Sequence, residues 1–262
     1  MILVTGTFRS GTSMWMQVLQ AAGLPPIGSA YPAYWGEVLG DFNARGFHES
    51  RLRAGIWWRS NPHPESGAYL FPSQTRRHVV KVFIDGLVRT DVAFVDHFVA
   101  TMRDWRSYTR SFDALHTRER GWYEAQGLPF PGSPLDRPHP YEWWRQNYEL
   151  VRDLATRRHP FSLTTYGRVV GNPTGEVPAV LRQVGLDAPD ALAAAVSAVD
   201  GRLSPPRQAH PDEALVPDED ARVFDLLYQA VDAQETIGPG LAAELNAAER
   251  RIHPRFEGRS GT

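Results

Sequence analysis

Four short apolar runs mark the parts of the chain that we expect to form β-strands. The first covers residues 2–5, and the others are "VVKVF" at 79–83, "HFVATM" at 97–102 and "FSLTT" at 161–165. Such runs are rich in β-branched and aromatic residues, as in strands that are covered on both faces. The pattern therefore predicts a sheet with a buried centre.

Between these runs the apolar residues recur at helical spacing. After the first run, Trp15, Val18, Leu19 and Ala22 share one helical face, and Gly23 ends that helix. Further helices are predicted at about 49–60, 104–116, 141–158, 175–185, 188–199 and 218–249. Strands that alternate with helices favour a parallel sheet between helical layers. The predicted fold class is therefore α/β.

Two segments lack a regular pattern and are rich in aromatic residues, glycine and proline. They cover about 25–75 and about 119–142. Long irregular segments inside a compact domain are usually functional or disordered. The aromatic content of these two segments indicates that they are caps, which cover a site. With a helical C-terminal segment at about 211–252, we interpret residues 1–262 as a single domain.

Composition and charge exclude several kinds of site and partner. The 262 residues include no cysteine, which excludes disulfides, thiolate zinc sites and cysteine nucleophiles. The net charge of −2 argues against nucleic acid as the main partner. No stretch approaches ~18 apolar residues, and "MILV" lacks the features of a signal peptide. We therefore expect no membrane partner and a cytoplasmic location.

A glycine-bounded loop joins the first strand to the first helix. Gly6 and Gly11 flank "TFRS", and such a loop turns successive backbone N–H groups towards an anion, at the positive end of the following helix. A nucleotide-hydrolysing P-loop has lysine directly after its last glycine. Here that residue is Thr12, and Arg9 inside the loop supplies the cation instead.

This loop resembles the first signature of the sulfotransferase family, P-[KR]-S-G-T-[ST]. The stretch "FRSGTS" matches at Arg9, Ser10, Gly11, Thr12 and Ser13, with phenylalanine in place of proline. The resemblance implies a three-layer P-loop-type fold with a parallel central sheet and helical or irregular caps. It also implies that these five residues bind the 5′-phosphosulfate of 3′-phosphoadenosine 5′-phosphosulfate, the co-substrate of the family, with no metal.

A second signature of the family follows a later strand and holds the 3′-phosphate. "MRDWRSYTRS" resembles it, with Arg103 and Ser111 at the required spacing of eight. In "FSLTTYGRVV", Tyr166 stands where a family tyrosine approaches the adenine. The late basic loop of many members is absent, and Arg202 and Arg207 are its candidate substitutes.

The general base is the part of the site that the resemblance leaves open. Cytosolic members carry K-T-H on the second strand, whereas this chain keeps Lys81 but has Phe83 at the histidine position. "NARGFHES" is similar to a bacterial pattern whose glutamate is the base. Glu49 is therefore the first candidate, His48 the second and Asp85 the third, with Lys81 and Arg9 stabilising the transferred and leaving groups.

The acceptor is expected to be a small molecule, apolar or aromatic, with a hydroxyl or amine as the sulfated group. This expectation rests on tryptophan-rich stretches in "YPAYW", "IWWRSNPHP" and "YEWWRQNY", although Trp57, Trp58, Trp143 and Trp144 could equally pack helices. Two alternatives stay open: a P-loop kinase of a small metabolite, and a nucleotide-binding protein whose site has decayed. The oligomeric state is not predicted.

Overall fold

A five-stranded parallel sheet forms the centre of the molecule. The computed structural model describes residues 1–31, 35–40, 43–130, 137–200 and 210–256. The sheet has the order β2-β3-β1-β4-β5, and each neighbouring pair is parallel. Its strands are β1 (Ile2–Thr5), β2 (Pro26–Ile27), β3 (Val79–Lys81), β4 (His97–Met102) and β5 (Phe161–Thr165).

Helices cover both faces of this sheet. They are α1 (Thr12–Ala21), α2 (Trp35–Leu39), α3 (Pro72–Thr75), α4 (Ile84–Leu87), α5 (Trp105–Ala125), α6 (His139–Arg157), α7 (Tyr166–Gly171), α8 (Pro173–Gln183), α9 (Pro189–Ser197), α10 (Asp218–Asp232) and α11 (Pro239–Ile252). Short 3₁₀ turns lie at Arg51–Ala54, Val92–Phe94, Pro211–Leu215 and His253–Arg255.

Alternate residues of the strands enter two different cores. Val4 and Val99 pack against α1, α8 and α9 on one face of the sheet. Leu3 and Phe98 point to the other face, where they pack with α4 and α6. A further aromatic core joins α5 and α6 to α10 and α11. The predicted three-layer α/β architecture with a parallel sheet is therefore confirmed.

The predicted strands are confirmed where each one coincides with a single continuous apolar run. The strands at 2–5, 97–102 and 161–165 are observed with those limits, and most of the predicted helices are present. The prediction of a single helix at 218–249 is wrong, because Gly238 and Pro239 begin a new helix after α10 ends. The third strand also ends at Lys81, two residues before the predicted limit.

The segments predicted as caps, about 25–75 and 119–142, have a local structure different from the one predicted. The helix predicted at 49–60 is wrong: this stretch holds only a 3₁₀ turn at Arg51–Ala54, which Gly55 ends at φ 98°. The cap at 119–142 is partly helical, since α5 runs to Ala125 and α6 begins at His139. Among the described residues, no helix is long and apolar enough to cross a membrane.

Candidate functional site

The loop between β1 and α1 is closely packed, and this packing requires its glycines. Gly6 lies against the end of β4, where a Cβ atom would stand 2.5 Å from the carbonyl oxygen of Thr101. Gly11 has φ 102°, and a Cβ there would lie 2.7 Å from the Tyr166 ring. Neither approach leaves room for a side chain, so the loop conformation depends on glycine at both ends.

Hydrogen bonds hold the loop in place. The Ser10 hydroxyl donates to the carbonyl oxygen of Thr7 at 2.7 Å, and the Thr101 hydroxyl donates to the carbonyl oxygen of Ser10 at 3.0 Å. Ser10 and Thr12 are both buried. The loop is thus fixed to the sheet, with α1 beginning at Thr12 immediately after it.

Two arginine side chains meet at one hydroxyl beside this loop. Arg9 Nε donates to Ser111 Oγ at 3.1 Å, and Arg103 Nη1 lies 3.4 Å from the same oxygen. Arg103 Nη1 also donates to the backbone carbonyl of Arg9 at 2.9 Å. Arg9 adopts φ 64°, an uncommon conformation for a residue with a side chain. The loop, the end of β4 and α5 therefore converge at Ser111.

The two arginines are close together, and both are desolvated. Burial, followed by the nearby charge of Arg103, lowers the pKa of Arg9 to about 10. Burial also lowers the pKa of Arg103, whose Nε is buried with no hydrogen-bond partner among the described residues. Two desolvated cations of like charge favour an anion between them, because it would restore the interactions lost on burial.

Lys81 occupies the other side of the loop. It is the last residue of β3 and is 1% exposed. Its Nζ donates to Ser13 Oγ at 2.9 Å and lies 3.3 Å from Oε1 of Glu49. Burial, partly offset by the charge of Glu49, lowers the pKa of Lys81 to about 8. A cation thus lies beside the first turn of α1, although residue 12 of the loop is threonine.

Glu49 is held by two cations. Its Oε2 accepts a hydrogen bond of 2.7 Å from Arg53, while its Oε1 faces Lys81. The backbone of Glu49 forms an antiparallel bridge with Ser29, which anchors the 43–50 segment to the sequence after β2. The carboxylate is 4% exposed and lines the cavity described next.

A cavity of about 380 Å³ is lined by the loop, both arginines, Lys81 and Glu49. Its polar end is formed by the loop with Lys81, Arg103 and Tyr166. Its other end is mostly apolar and includes Phe8, Trp35, Leu39, Phe47, Phe83, Phe112 and Leu115. Phe8 and Phe83 stack there with ring centroids 3.9 Å apart. The cavity therefore offers a cationic site for an anion and, continuous with it, an apolar chamber.

Tyr166 lies at the boundary of the polar end. The guanidinium carbon of Arg103 stands 4.6 Å from the centroid of the Tyr166 ring. The ring also packs against Gly11. Tyr166 thus lines the cavity beside the loop and Arg103.

Two of the candidate bases lie away from the cavity. His48 is buried, does not line the cavity, and its Nε2 lies 3.1 Å from the carbonyl oxygen of Arg45. Asp85 is also absent from the lining, and both of its carboxylate oxygens are bound by Arg145, at 2.8 and 3.0 Å. Of the three candidate bases, Glu49 lines the cavity, whereas His48 and Asp85 do not.

The tryptophans proposed for the acceptor pocket are also placed differently. Trp143 and Trp144 are buried in the core against Phe224, and Trp57 and Trp58 contact each other outside the cavity. Trp35 of "YPAYW" does line the cavity. Arg202 and Arg207, the suggested late basic residues, lie outside the described residues.

Sequence reasoning missed three charged residues of the cavity, Arg53, Glu119 and Asp200. Arg53 had a weak signal, because a glutamate and an arginine four residues apart often pair. Glu119 had none, since its position in the cavity depends on how α5 packs against the rest of the molecule. Among the described residues, no group of three or more histidine or acidic side chains could hold a metal ion.

Comparisons with known proteins show a likeness in structure but none in sequence. No family model matches the chain, and no curated protein matches it in sequence. A solved structure, the sulfotransferase domain from the Synechococcus PCC 7002 olefin synthase, is similar over 97% of this chain and 94% of that one. The identity is 12% and the TM-score 0.42. At these values the likeness concerns overall architecture and says nothing of activity.

Proposed function

We propose that the protein is a sulfotransferase, which moves a sulfuryl group from 3′-phosphoadenosine 5′-phosphosulfate to a hydroxyl or amine of a small acceptor. The observation that carries this proposal is the meeting of Arg9 and Arg103 at Ser111, beside a glycine loop that lacks the P-loop lysine. This arrangement offers two adjoining anion sites. A donor with phosphates at both the 5′ and the 3′ positions of its ribose needs both.

In this proposal the loop binds the 5′-phosphosulfate. The backbone N–H groups of residues 11–13, at the start of α1, face the anion, and Ser13 and Lys81 contact its oxygens. Arg103 and Ser111 bind the 3′-phosphate, and Arg9 lies between the two anionic groups. Tyr166, which packs on Gly11 and Arg103, contacts the adenine.

The proposed transfer step is an in-line displacement at sulfur. The acceptor oxygen forms a bond to sulfur while the bond from sulfur to the bridging phosphate oxygen breaks. Adenosine 3′,5′-bisphosphate leaves with the bonding electron pair, and negative charge grows on that bridging oxygen. Lys81 and the loop N–H groups are positioned to stabilise this charge, which is the interaction that lowers the barrier.

Glu49 is the proposed general base for the acceptor proton. Its carboxylate lies at the cavity, within 3.3 Å of Lys81 Nζ, so the group that accepts the proton is next to the group that stabilises the leaving oxygen. His48 and Asp85 face other partners. Proton acceptance by a positioned carboxylate typically contributes about 10²–10⁴ to the rate.

A comparison of nucleotide ligands, followed by a transfer assay, tests the proposal. We expect adenosine 3′,5′-bisphosphate to raise the melting temperature more than AMP or ATP–Mg²⁺ at equal concentration, since only this ligand fills both anion sites. Sulfated product and adenosine 3′,5′-bisphosphate should then form from the phosphosulfate donor and a phenol, in the presence of EDTA. Stabilisation by ATP–Mg²⁺ with Mg²⁺-dependent phosphorylation would favour a kinase instead. Tight nucleotide binding without transfer to any acceptor would favour a decayed site.

A further inference from the structure

One face of α5 lines the apolar chamber of the cavity. Phe112, Leu115, His116 and Glu119 all border it, at helical spacings of three and four residues. Opposite them, Trp35 and Leu39 of α2 close the chamber, since α2 packs on α5. The chamber therefore runs along α5, away from the pair of arginines at Ser111.

Among the described residues, three carboxylates line the cavity, and two of them have cationic partners. Glu49 is bound by Arg53 and Lys81, and Asp200 lies 3.5 Å from Arg45. Glu119 has no ion pair or hydrogen bond with any residue in the described ranges. Its carboxylate is half-buried, so it can accept a hydrogen bond from a ligand that enters the chamber.

The surroundings of Glu119 bury it in part, and its described neighbours on the same helix face do not compensate its charge. Burial raises the pKa of the Glu119 carboxyl. The nearest titratable residue of the same face, His116, lies one turn earlier, and burial, followed by the charge of His139, lowers its pKa. A neutral imidazole does not supply the cation that Glu119 lacks. The remaining neighbours on this face, Phe112 and Leu115, are apolar.

The length of α5 that borders the chamber follows from helix geometry. Phe112 and Glu119, which both line the cavity, are seven residues apart, which corresponds to about 10 Å at a rise of about 1.5 Å per residue. Leu115 and His116 lie between them. A molecule with a reacting group near the donor and an apolar body along α5 would bring a second group towards Glu119.

We propose, on the basis of the sulfotransferase function proposed above, that the acceptor is an amphipathic amine: an apolar or aromatic body with the sulfated hydroxyl at one end and an ammonium group at the other, which Glu119 binds. The carboxylate would form a charge-assisted hydrogen bond to the ammonium, and the apolar chamber would enclose the body between them. Glu119 is then the residue that selects the acceptor.

A matched pair of phenols tests this inference without requiring catalysis. Tyramine and 4-ethylphenol share the phenol and the two-carbon chain, and differ in the terminal ammonium. Their dissociation constants are measured by calorimetry in the presence of adenosine 3′,5′-bisphosphate. We expect tyramine to bind about tenfold more tightly than 4-ethylphenol, as a charge-assisted hydrogen bond in a partly exposed site would give.

Two variants assign the preference to one carboxylate. Glu119→Gln keeps the shape of the side chain, and the ratio of the two dissociation constants should fall close to one; Glu119→Ala provides a second removal of the charge. Glu124→Gln is the control, because Glu124 is an exposed glutamate of the same helix that does not line the cavity. That variant should keep the wild-type ratio.

Each outcome has one reading. A wild-type ratio near one overturns the inference, and so does a preference for tyramine that persists in both Glu119 variants. A preference that disappears only in those variants supports it. The transfer assay is scored separately, so that selective binding without sulfuryl transfer would contradict the proposed function while leaving the role of Glu119 in place.

Discussion

The ammonium group of Lys81 donates a hydrogen bond of 2.9 Å to the hydroxyl of Ser13, a residue 68 positions earlier in the chain. Because β3 is hydrogen-bonded to β1, the end of β3 lies beside the loop that follows β1. The neighbouring strand thus supplies the lysine that the loop itself lacks. Several consequences of this arrangement can be measured.

Replacing Lys81 by methionine should reduce kcat much more than nucleotide affinity. The methionine side chain has a similar length but carries no charge, so the charge on the bridging oxygen loses one of its stabilising groups. Loss of one such donor typically costs about 10²–10³ in kcat. The test is turnover at saturating donor, with the affinity for adenosine 3′,5′-bisphosphate measured in parallel. Unchanged turnover in this variant would show that Lys81 has only a structural role.

The pH dependence of kcat/KM for the donor should show the deprotonation of Lys81. Its pKa is lowered from 10.5 to about 8, chiefly by burial. Above about pH 8 the free enzyme therefore loses this cation, and kcat/KM for the donor should fall about tenfold per pH unit. The folded protein releases the proton at about pH 8 and the unfolded chain at 10.5. Deprotonation thus favours the folded state between these values.

The Lys81→Met variant is the control for this profile. It should show no fall near pH 8, and its free energy of unfolding should lack the rise that the wild type gains between about pH 8 and 10.5. A wild-type profile that stays flat to pH 10 would contradict the assignment, as would an identical decline in both proteins.

The sequence predicted the sheet well because its central strands are short, continuous apolar runs. The limits of β1, β4 and β5 follow from those runs alone. The segment at 49–60 was predicted wrongly because its conformation depends on distant parts of the chain. Phe83 donates its backbone N–H to the carbonyl oxygen of Arg53, and Glu49 pairs with Lys81. The local amino-acid sequence contains no pattern that indicates such distant contacts.

The sequence predicted the cationic end of the candidate site but not its apolar end. Arg9, Arg103 and Ser111 were found through motif spacing, and the structure brings them within hydrogen-bond distance of one another. The apolar end was not predictable in this way. Its tryptophans were chosen by local abundance, whereas the residues that line it, such as Phe112 and Glu119, are set by the packing of α5.

Nucleotide affinity should separate the contribution of Ser111 from that of the loop. In Ser111→Ala, adenosine 3′,5′-bisphosphate loses one hydrogen bond and the two arginines lose a shared acceptor, so affinity should fall about tenfold. AMP, which has no 3′-phosphate, should lose much less. Ser107→Ala, one turn earlier on the same helix, is the control, because the two arginines meet at Ser111. Equal losses for both nucleotides would place the 3′-phosphate elsewhere.

Stability should depend strongly on one buried carboxylate of the C-terminal helices. Asp220 is fully buried and is bound by Arg251 and Arg255, each at 2.7 Å, and by the Tyr141 hydroxyl at 2.9 Å. Asp220→Asn would remove the anion that the two arginines share and would leave Arg251 with Glu219 alone, so we expect a loss of about 3 kcal/mol in the free energy of unfolding.

An exposed ion pair of the same helices provides the comparison for Asp220. Glu244 pairs with Arg222 near the surface, and Glu244→Gln should cost less than about 1 kcal/mol. Urea denaturation of both variants gives the two values. Similar losses would show that the cluster around Asp220 contributes no more than a surface pair.

Glu49→Gln should give the largest loss of activity that leaves donor binding in place. If Glu49 accepts the acceptor's proton, the amide removes that function, and kcat should fall by about 10²–10⁴. The same change removes the negative charge that raises the pKa of Lys81, so the remaining activity should decline at a lower pH than in the wild type. This shift distinguishes a catalytic carboxylate next to Lys81 from one that acts only in packing. His48→Ala is the control, because that ring faces the backbone of Arg45 and not the cavity. An inactive His48 variant together with a fully active Glu49→Gln would reverse the two assignments.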